Sequence, residues 1–515
     1  MTQRAIQIAG WLTALAIVFS ASQASAFILD STTTVTWQST ASGPRTANGQ
    51  PATITWSLVP DGTATTTASG TSTTPSNLVS FMNTNFGGTP GLSDLTQEPW
   101  FHIFTDAFGR WNQLGGVNFV YEPHDDGVLH PSSNGILGVR GDIRLAGFNI
   151  DGPSGTLAFT YVPSGGSDMA IDTSESSLFT SGASLNHVYF RDTLMHEIGH
   201  SFGLEHVSTN ETSTGKLLME PFIDDSANPI DGPQLDEVRG VQFFFGDANE
   251  KSNGGLGNGT AARATSLGTL TPGSTRLVGS SADVPTQTNS GTATDFVSIS
   301  NASDVDFYSF TVNSASSLSA TLTPRGGVFS QGAADQNQTP TTFDANSRSN
   351  LALTIYSTDG TTVLSTANSQ PAGVAESISN LMLPSAGKYF ARVTGADDTI
   401  QLYELALTAF AMLVGDYNHD GVVDAADYAV WRSMLGQSVA VGMGADGNSD
   451  GVITAADFNV WRSHFGQTSA GGSGSLVAQG SAVPEPGFGA LTTLLLSASL
   501  FVRRHRCRQF AISFI

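Results

Sequence analysis

Apolar and polar residues follow three successive patterns along the chain. In ATITWSLVPDG, Ile54, Trp56 and Leu58 alternate with polar neighbours, which predicts a strand closed by a turn. In PWFHIFTDAFGRWNQLGGVNFV, Phe101, Phe104, Phe108 and Trp111 recur at helical spacing, and Gly115-Gly116 stops the helix. GDIRLAGF and TLAFTYV read as further strands, and RDTLMHEIGHSFGLEH as another helix. Past about residue 248 the helical spacing disappears. After the Gly- and Asn-rich NEKSNGGLGNGT come short strands with turn signals, DVDFYSFTV, LSATLTP, LALTIYSTDG, GKYFARVTG and IQLYELALT, a β-sandwich pattern. The third pattern is a tandem repeat. GDYNHDGVVDAADYAVWRSMLGQ and ADGNSDGVITAADFNVWRSHFGQ match almost position by position, which indicates a duplicated supersecondary unit. The Gly/Ser-rich stretch from Thr468 to Ser481 predicts a flexible spacer.

Both ends read as targeting segments. Arg4, the apolar stretch Ile6 to Phe19 and the small residues Ala24-Ser25-Ala26 predict an export signal over 1–26, with the mature chain starting near Phe27. At the other end, Val483-Pro484-Glu485-Pro486 precedes an apolar run from Phe488 to Val502 and then Arg503, Arg504, Arg506 and Arg508. That run is shorter than the ~20 residues that span a bilayer comfortably. The tail resembles the PEP-CTERM sorting signal of bacterial exported proteins. The resemblance implies a transient membrane anchor, removed by a sorting transpeptidase at the cell envelope. An ordinary tail anchor is the alternative.

Composition narrows the chemistry. A length of 515 residues predicts two to four domains. With 13% charged and 39% hydrophobic residues the chain can bury cores. The formal charge of −23 argues against nucleic acid as a partner. The single cysteine, Cys507, excludes a disulfide framework and cysteine-ligated zinc, so any metal must be held by His and carboxylates.

RDTLMHEIGHSFGLEH supplies those groups. His196 and His200 are i and i+4, so a helix places both imidazoles on one face. Gly203 lets the chain fold back and bring His206 round as a third ligand. Three nitrogen ligands with one open position suit a catalytic zinc. Glu197, beside the first ligand, is the expected general base for a water whose pKa zinc lowers towards ~7. A satisfied core histidine pair or a metal-free, decayed site are the bland alternatives.

With the downstream KLLMEP, which holds Met219 and Pro221, this motif resembles the metzincin signature and its Met-turn. The resemblance implies that Met219 forms an apolar floor beneath the histidines. Within the metzincins the chain is similar to the matrixins. AFGRWNQLGGVNF, GDIRLAGF, DGPSGTLAF and LDEVRGVQFFFGD look like that family's first helix with its following strand, next strand, Asp-Gly-Pro loop and closing helix. Two departures stand out. Phe159 and Ala170 occupy the places of histidines that bind a second, structural zinc in matrixins, so that zinc is expected to be absent. Asp168 and Asp172 remain, either as ligands of one calcium ion in the catalytic domain or as solvated turn carboxylates. Nor does a cysteine-containing propeptide precede the motif, which excludes a thiol switch.

In the repeat, Asp416, Asn418, Asp420, Asp424 and Asp427 fall at positions 1, 3, 5, 9 and 12 of a loop with Gly421 at position 6, which is EF-hand spacing. The second copy offers Asp446, Asn448, Asp450, Thr454 and Asp457, with Gly451. Asp at position 12 and a single helix after each loop resemble dockerin modules. The resemblance implies two calcium ions and a cohesin-like protein partner; a calcium-stiffened spacer is the alternative. Trp431 and Trp461 read as the module's own core rather than its contact face. DVDFYSFTV, LALTIYSTDG, GKYFARVTG and YELALT resemble the pre-peptidase C-terminal (PPC) domain of secreted bacterial proteases, a β-sandwich with an accessory role. Asp304 and Asp306 are read there as turn residues in preference to calcium ligands.

The expected protein is multidomain. A signal (1–26) precedes an α+β metzincin catalytic domain with a mixed twisted sheet and three helices (27–248). A β-sandwich (249–410), a small α dockerin-like EF-hand pair (414–467), a linker (468–482) and a sorting tail (483–515) follow. The expected function is zinc-dependent hydrolysis of protein or peptide substrates outside the cytoplasm. The rival is an envelope-associated binding or structural protein with a vestigial peptidase domain.

Overall fold

In the computed structural model the described residues are 27–468, apart from 28, 30–36, 46, 67–72, 133–134, 162–166, 210–216, 225–228, 284–290, 334–338 and 440–441. The signal-like N-terminus, Cys507 and the sorting-type tail lie outside them. Among the described residues no helix is long and apolar enough to cross a membrane.

The first unit is built on β1 (Ala52–Leu58), α1 (Leu78–Phe86), α2 (Phe101–Leu114), β2 (Val117–Tyr121), β3 (Ile143–Phe148), β4 (Ala158–Thr160), β5 (Met169–Asp172), α3 (Ser176–Ser181), α4 (Val188–Ser201), β6 (Val207–Thr209) and α5 (Leu235–Phe245). Five strands form one sheet in the order β2-β1-β3-β5-β4. The first four are parallel, and β4 closes the edge antiparallel to β5. Helical spacing in α2 gives a face of Phe101, Phe104, Phe108 and Trp111, all buried. Trp56 of β1 stacks on Phe108 at 4.5 Å between ring centroids, which fastens helix to sheet. Trp111 Nε1 donates to the Met195 carbonyl at 3.1 Å and so ties α2 to α4 one residue before His196.

Helices α1 and α3 correct the expectation of three. Each is short, and α1 buries only Leu78, Phe81 and Met82. Helices of that length are marginal on propensity and owe their stability to packing, which apolar spacing registers weakly.

The second unit is a sandwich. Its strands are β7 (Thr265–Thr269), β8 (Thr275–Val278), β9 (Val297–Ile299), β10 (Val305–Val312), β11 (Ser316–Arg325), β12 (Val328–Ala333), β13 (Thr341–Asp344), β14 (Leu351–Tyr356), β15 (Val363–Ala367), β16 (Glu376–Leu383), β17 (Gly387–Gly395) and β18 (Gln401–Ala411). One sheet runs β7-β10-β17-β14-β15 and the other β8-β18-β11-β16, with β9 also on β18. Leu318, Leu322, Leu353, Ile355, Leu405 and Leu407 fill the space between them. The sandwich does not hang from a free linker. Ala282, Phe296, Ile400 and Leu402 join the first unit's core, and Gln242 of α5 donates to both Leu114 and Phe296 carbonyls. The Gly/Asn-rich connection is itself anchored, with Lys251 Nζ donating to the carbonyls of Asn112 and Val117.

The repeat folds as two loop–helix units, with α6 (Ala425–Met434) and α7 (Ala455–His464). Trp431 and Trp461 are buried and reciprocal: each indole N–H donates to the other half, to Thr454 and Asp424 carbonyls at 2.8 and 2.7 Å. Both tryptophans are core rather than contact face.

Candidate metal centre and active site

Helix α4 presents His196 and His200 one turn apart, and Gly203, at φ +106°, reverses the chain so that His206 meets them. The three Nε2 atoms lie 3.0, 3.1 and 3.2 Å from one another. Nitrogens on a tetrahedral zinc at ~2.0–2.1 Å stand roughly 3.3 Å apart, so the triad fits that ion. The Nδ1 of His196 faces the Leu218 carbonyl and that of His200 the Leu204 carbonyl, each at 2.7 Å. Donation there fixes the tautomer whose bare Nε2 turns towards the triad. Burial beside His206 pushes His200 down to about 4, which keeps its ring neutral.

Met219 is buried and lies against Gly199 of α4, the helix that carries His196 and His200. Its Sδ would stand 2.5 Å from a Cβ built on Gly199, so a larger residue at that turn of α4 would push the Met219 side chain aside. Met219 N donates to Glu237 of α5 at 3.0 Å, and its carbonyl accepts from Val207 N at 2.9 Å.

Glu197 is buried next to the triad, and burial pushes its carboxyl up to about 7. Its Oε2 accepts from Thr160 Oγ1 at 2.7 Å. Sequence reading missed Thr160. It sits 37 residues away on the edge strand β4, and no spacing rule links the two.

Phe159 and Ala170 face each other across β4 and β5 and offer no ligand atoms. Asp168 and Asp172 are each taken up by donors within the fold. Asp168 is buried and accepts from the amides of Ser132 and Arg144, both at 2.8 Å. Asp172, also buried, accepts from Ser174 N and Oγ. Neither is the solvated carboxylate of the second reading, because backbone donors inside the fold occupy their oxygens.

A second group of metal-type ligands lies elsewhere, at the junction of the two units. One carboxylate oxygen each from Glu250, Asp304 and Asp306 lies within 4.8 Å of the others. Asp304 does behave as a turn residue, accepting from Ser300 N and Oγ. Asp306 corrects the turn reading: it is fully buried in β10, Tyr403 donates to its Oδ2, and Oδ1 has no partner. Burial and mutual repulsion push Glu250 up to about 8 and Asp247 to about 7, with Arg263 facing Glu250 and Lys251 facing Asp247.

In the repeat, Asp416 accepts from Asp420 and Gly421 amides and Asp446 from Asp450 and Gly451, drawing each loop around its first acid. Asn418 and Asp420, like Asn448 and Asp450, are joined side chain to side chain. Asp427 and Asp457 are fully buried and close capping boxes with Asp424 and Thr454. Position nine thus caps a helix in both copies.

Three histidines converging on one point beside a buried carboxylate define a metallopeptidase-type centre. Comparison with known proteins agrees. Residues 86–246 match the matrixin family, 304–395 the bacterial pre-peptidase C-terminal domain and 414–464 the dockerin type I domain. Metalloendoproteinase 2-MMP of Arabidopsis thaliana is 29% identical over 157 residues, covering 30% of this chain and 38% of that protein. Metalloendoproteinase 1-MMP of the same plant is 30% identical over 182 residues, covering 33% and 46%. The chain thus spans less than half the length of these relatives. Among solved structures, a type II cohesin–dockerin domain from Bacteroides cellolosolvens is 37% identical, covering 12% of this chain and 93% of that one, with a TM-score of 0.11.

Proposed function

We propose that the chain is an exported, zinc-dependent endopeptidase of the matrixin type, carrying an accessory β-sandwich and a calcium-binding EF-hand-like pair. The observation that carries the reading is the Nε2 triad at 3.0–3.2 Å with Glu197 beside it. His196, His200 and His206 hold the zinc, which supplies Lewis acidity toward a water and the scissile carbonyl. Glu197 accepts the water's proton on its carboxylate and returns it to the leaving amine. Thr160 holds the Glu197 carboxylate in place, and Met219 keeps the floor apolar. A protein partner docks on the repeat, and the C-terminal tail is cut by a sorting transpeptidase at the envelope.

The purified full-length chain should bind one zinc and cleave an unstructured protein, with activity lost on chelation and restored by zinc. Less than one zinc per chain after loading, with no cleavage, would leave the rival: a binding protein with a vestigial peptidase.

The junction acids have all-oxygen chemistry, which suits calcium. Their folded pKa values are raised above the ordinary carboxylate range, so ionisation costs the folded state. Without calcium, the contribution of these acids to stability is therefore fully present below the unfolded values near 4 and is lost as pH rises towards 8. Calcium should cancel much of that fall in thermal melts of the wild type but little of it in Asp306→Asn. Equal calcium shifts in both proteins would remove the junction site.

A further inference from the structure

Strand β6 starts at Val207, directly after the ligand His206, and it has two neighbours. On one side Val207 N donates to the Met219 carbonyl at 2.9 Å. On the other, β6 pairs antiparallel with β12, a strand of the accessory unit, in the register Val207↔Ala333, Ser208↔Gly332 and Thr209↔Gln331. Strand β12 continues the sheet into β13. This three-stranded sheet therefore takes one strand from the peptidase unit and two from the sandwich.

The hairpin β12–β13 is held on both sides. Phe329 and Phe343, both buried, lie 5.5 Å apart. The Phe343 ring packs under Arg239 of α5 at 5.1 Å and Arg348 at 4.7 Å. At its root, Gln401 Nε2 donates to the carbonyls of Arg325 and Ala345 at 2.8 and 3.1 Å. Helix α5 is also the element whose Glu237 accepts from Met219 N. Hairpin, Met-turn and third ligand thus form one bonded layer, and His196 joins it through the Leu218 carbonyl.

We propose that the accessory unit completes the metal centre: β12, added to the free edge of β6, holds His206 and the Met219 turn in metal-binding geometry. Its residues are positioning residues that act through β6. The proposal rests on the zinc-peptidase reading but is judged by metal release rather than by cleavage. Because Val207 N is taken by Met219, strand alternation turns Ser208 towards β12, opposite Gly332. Residues that orient metal ligands from behind typically change metal affinity 10–100-fold when altered.

The test uses the full-length chain, loaded with zinc and mixed with excess chelator. Gly332→Pro removes the amide of that pair, and zinc release from the folded variant should be roughly 10-fold faster or more. Release within twofold of wild type, with the variant folded, overturns the proposal. A second variant covers failure to fold: Ser208→Cys with Gly332→Cys, in a Cys507→Ser background. Directly opposed residues of an antiparallel pair have Cα atoms ~5.5 Å apart, within disulfide range. Oxidation should slow zinc release relative to the reduced form. Equal or faster release when oxidised overturns the proposal. If zinc release responds as expected and no protein is cleaved, the peptidase reading fails and this one stands.

Discussion

Glu197→Gln should leave zinc bound in full and reduce kcat by roughly 10²–10⁴-fold, with KM for a peptide substrate little changed. That loss corresponds to ~3–5 kcal/mol of transition-state stabilisation. The expectation follows from position. Glu197 is on the same turn as His196, buried, and not one of the three converging nitrogens. Gln is nearly isosteric and can still accept from Thr160 through its amide oxygen, so packing around α4 is kept. What is lost is a basic oxygen for the water's proton. Single-turnover kinetics with zinc analysis on the same sample measures both halves of the statement. A variant that keeps full activity refutes the role of Glu197. One that loses zinc as well as activity shows that Glu197 is needed to form the centre itself.

Removing calcium should unfold the C-terminal repeat while the rest of the chain stays folded. Its core is small: Tyr417, Val423, Trp431, Ala445, Ile453 and Trp461 are the buried apolar residues. The loops crowd Asp416, Asp420 and Asp427 in one copy and Asp446, Asp450 and Asp457 in the other, with no lysine or arginine inside either loop. In the first loop, burial and the neighbouring Asp427 and Asp420 push Asp416 up to about 6, so its charge opposes folding until a cation binds. A site held at 100 times its Kd contributes ~2.7 kcal/mol. The copies are interlocked as well. Val423 and Gly466 bond to each other's strand segment, as Ile453 and Gly436 do in the other half, and each tryptophan donates across. Asp446→Ala should therefore weaken calcium binding in both loops. Tryptophan fluorescence and far-UV circular dichroism during a chelator titration follow the transition. No change in either signal would show that the repeat folds without the ion.

The helix that carries the candidate site was legible because its information is local. A four-residue spacing puts His196 and His200 on one face whatever surrounds them, and Gly203 permits the reversal that delivers His206. The tandem loops were legible for the same reason, since each gathers its oxygens from a dozen consecutive residues. Short helices were harder to read. Helices α1 and α3 have too few turns for apolar spacing to stand out, and packing supplies their stability.

Sequence by itself determined the three-part organisation, the histidine-bearing helix and the duplicated acidic loops, because periodicity and spacing act over a few turns of chain. Only the tertiary structure decided which distant residues complete those sites. Thr160 reaches Glu197 from an edge strand, and Glu250 meets Asp304 and Asp306 across the junction. Strand β12, more than 100 residues downstream, pairs beside His206. Such contacts depend on how faces and edges dock once the chain has folded, and hydrophobic burial drives that docking without leaving a fixed spacing in the sequence.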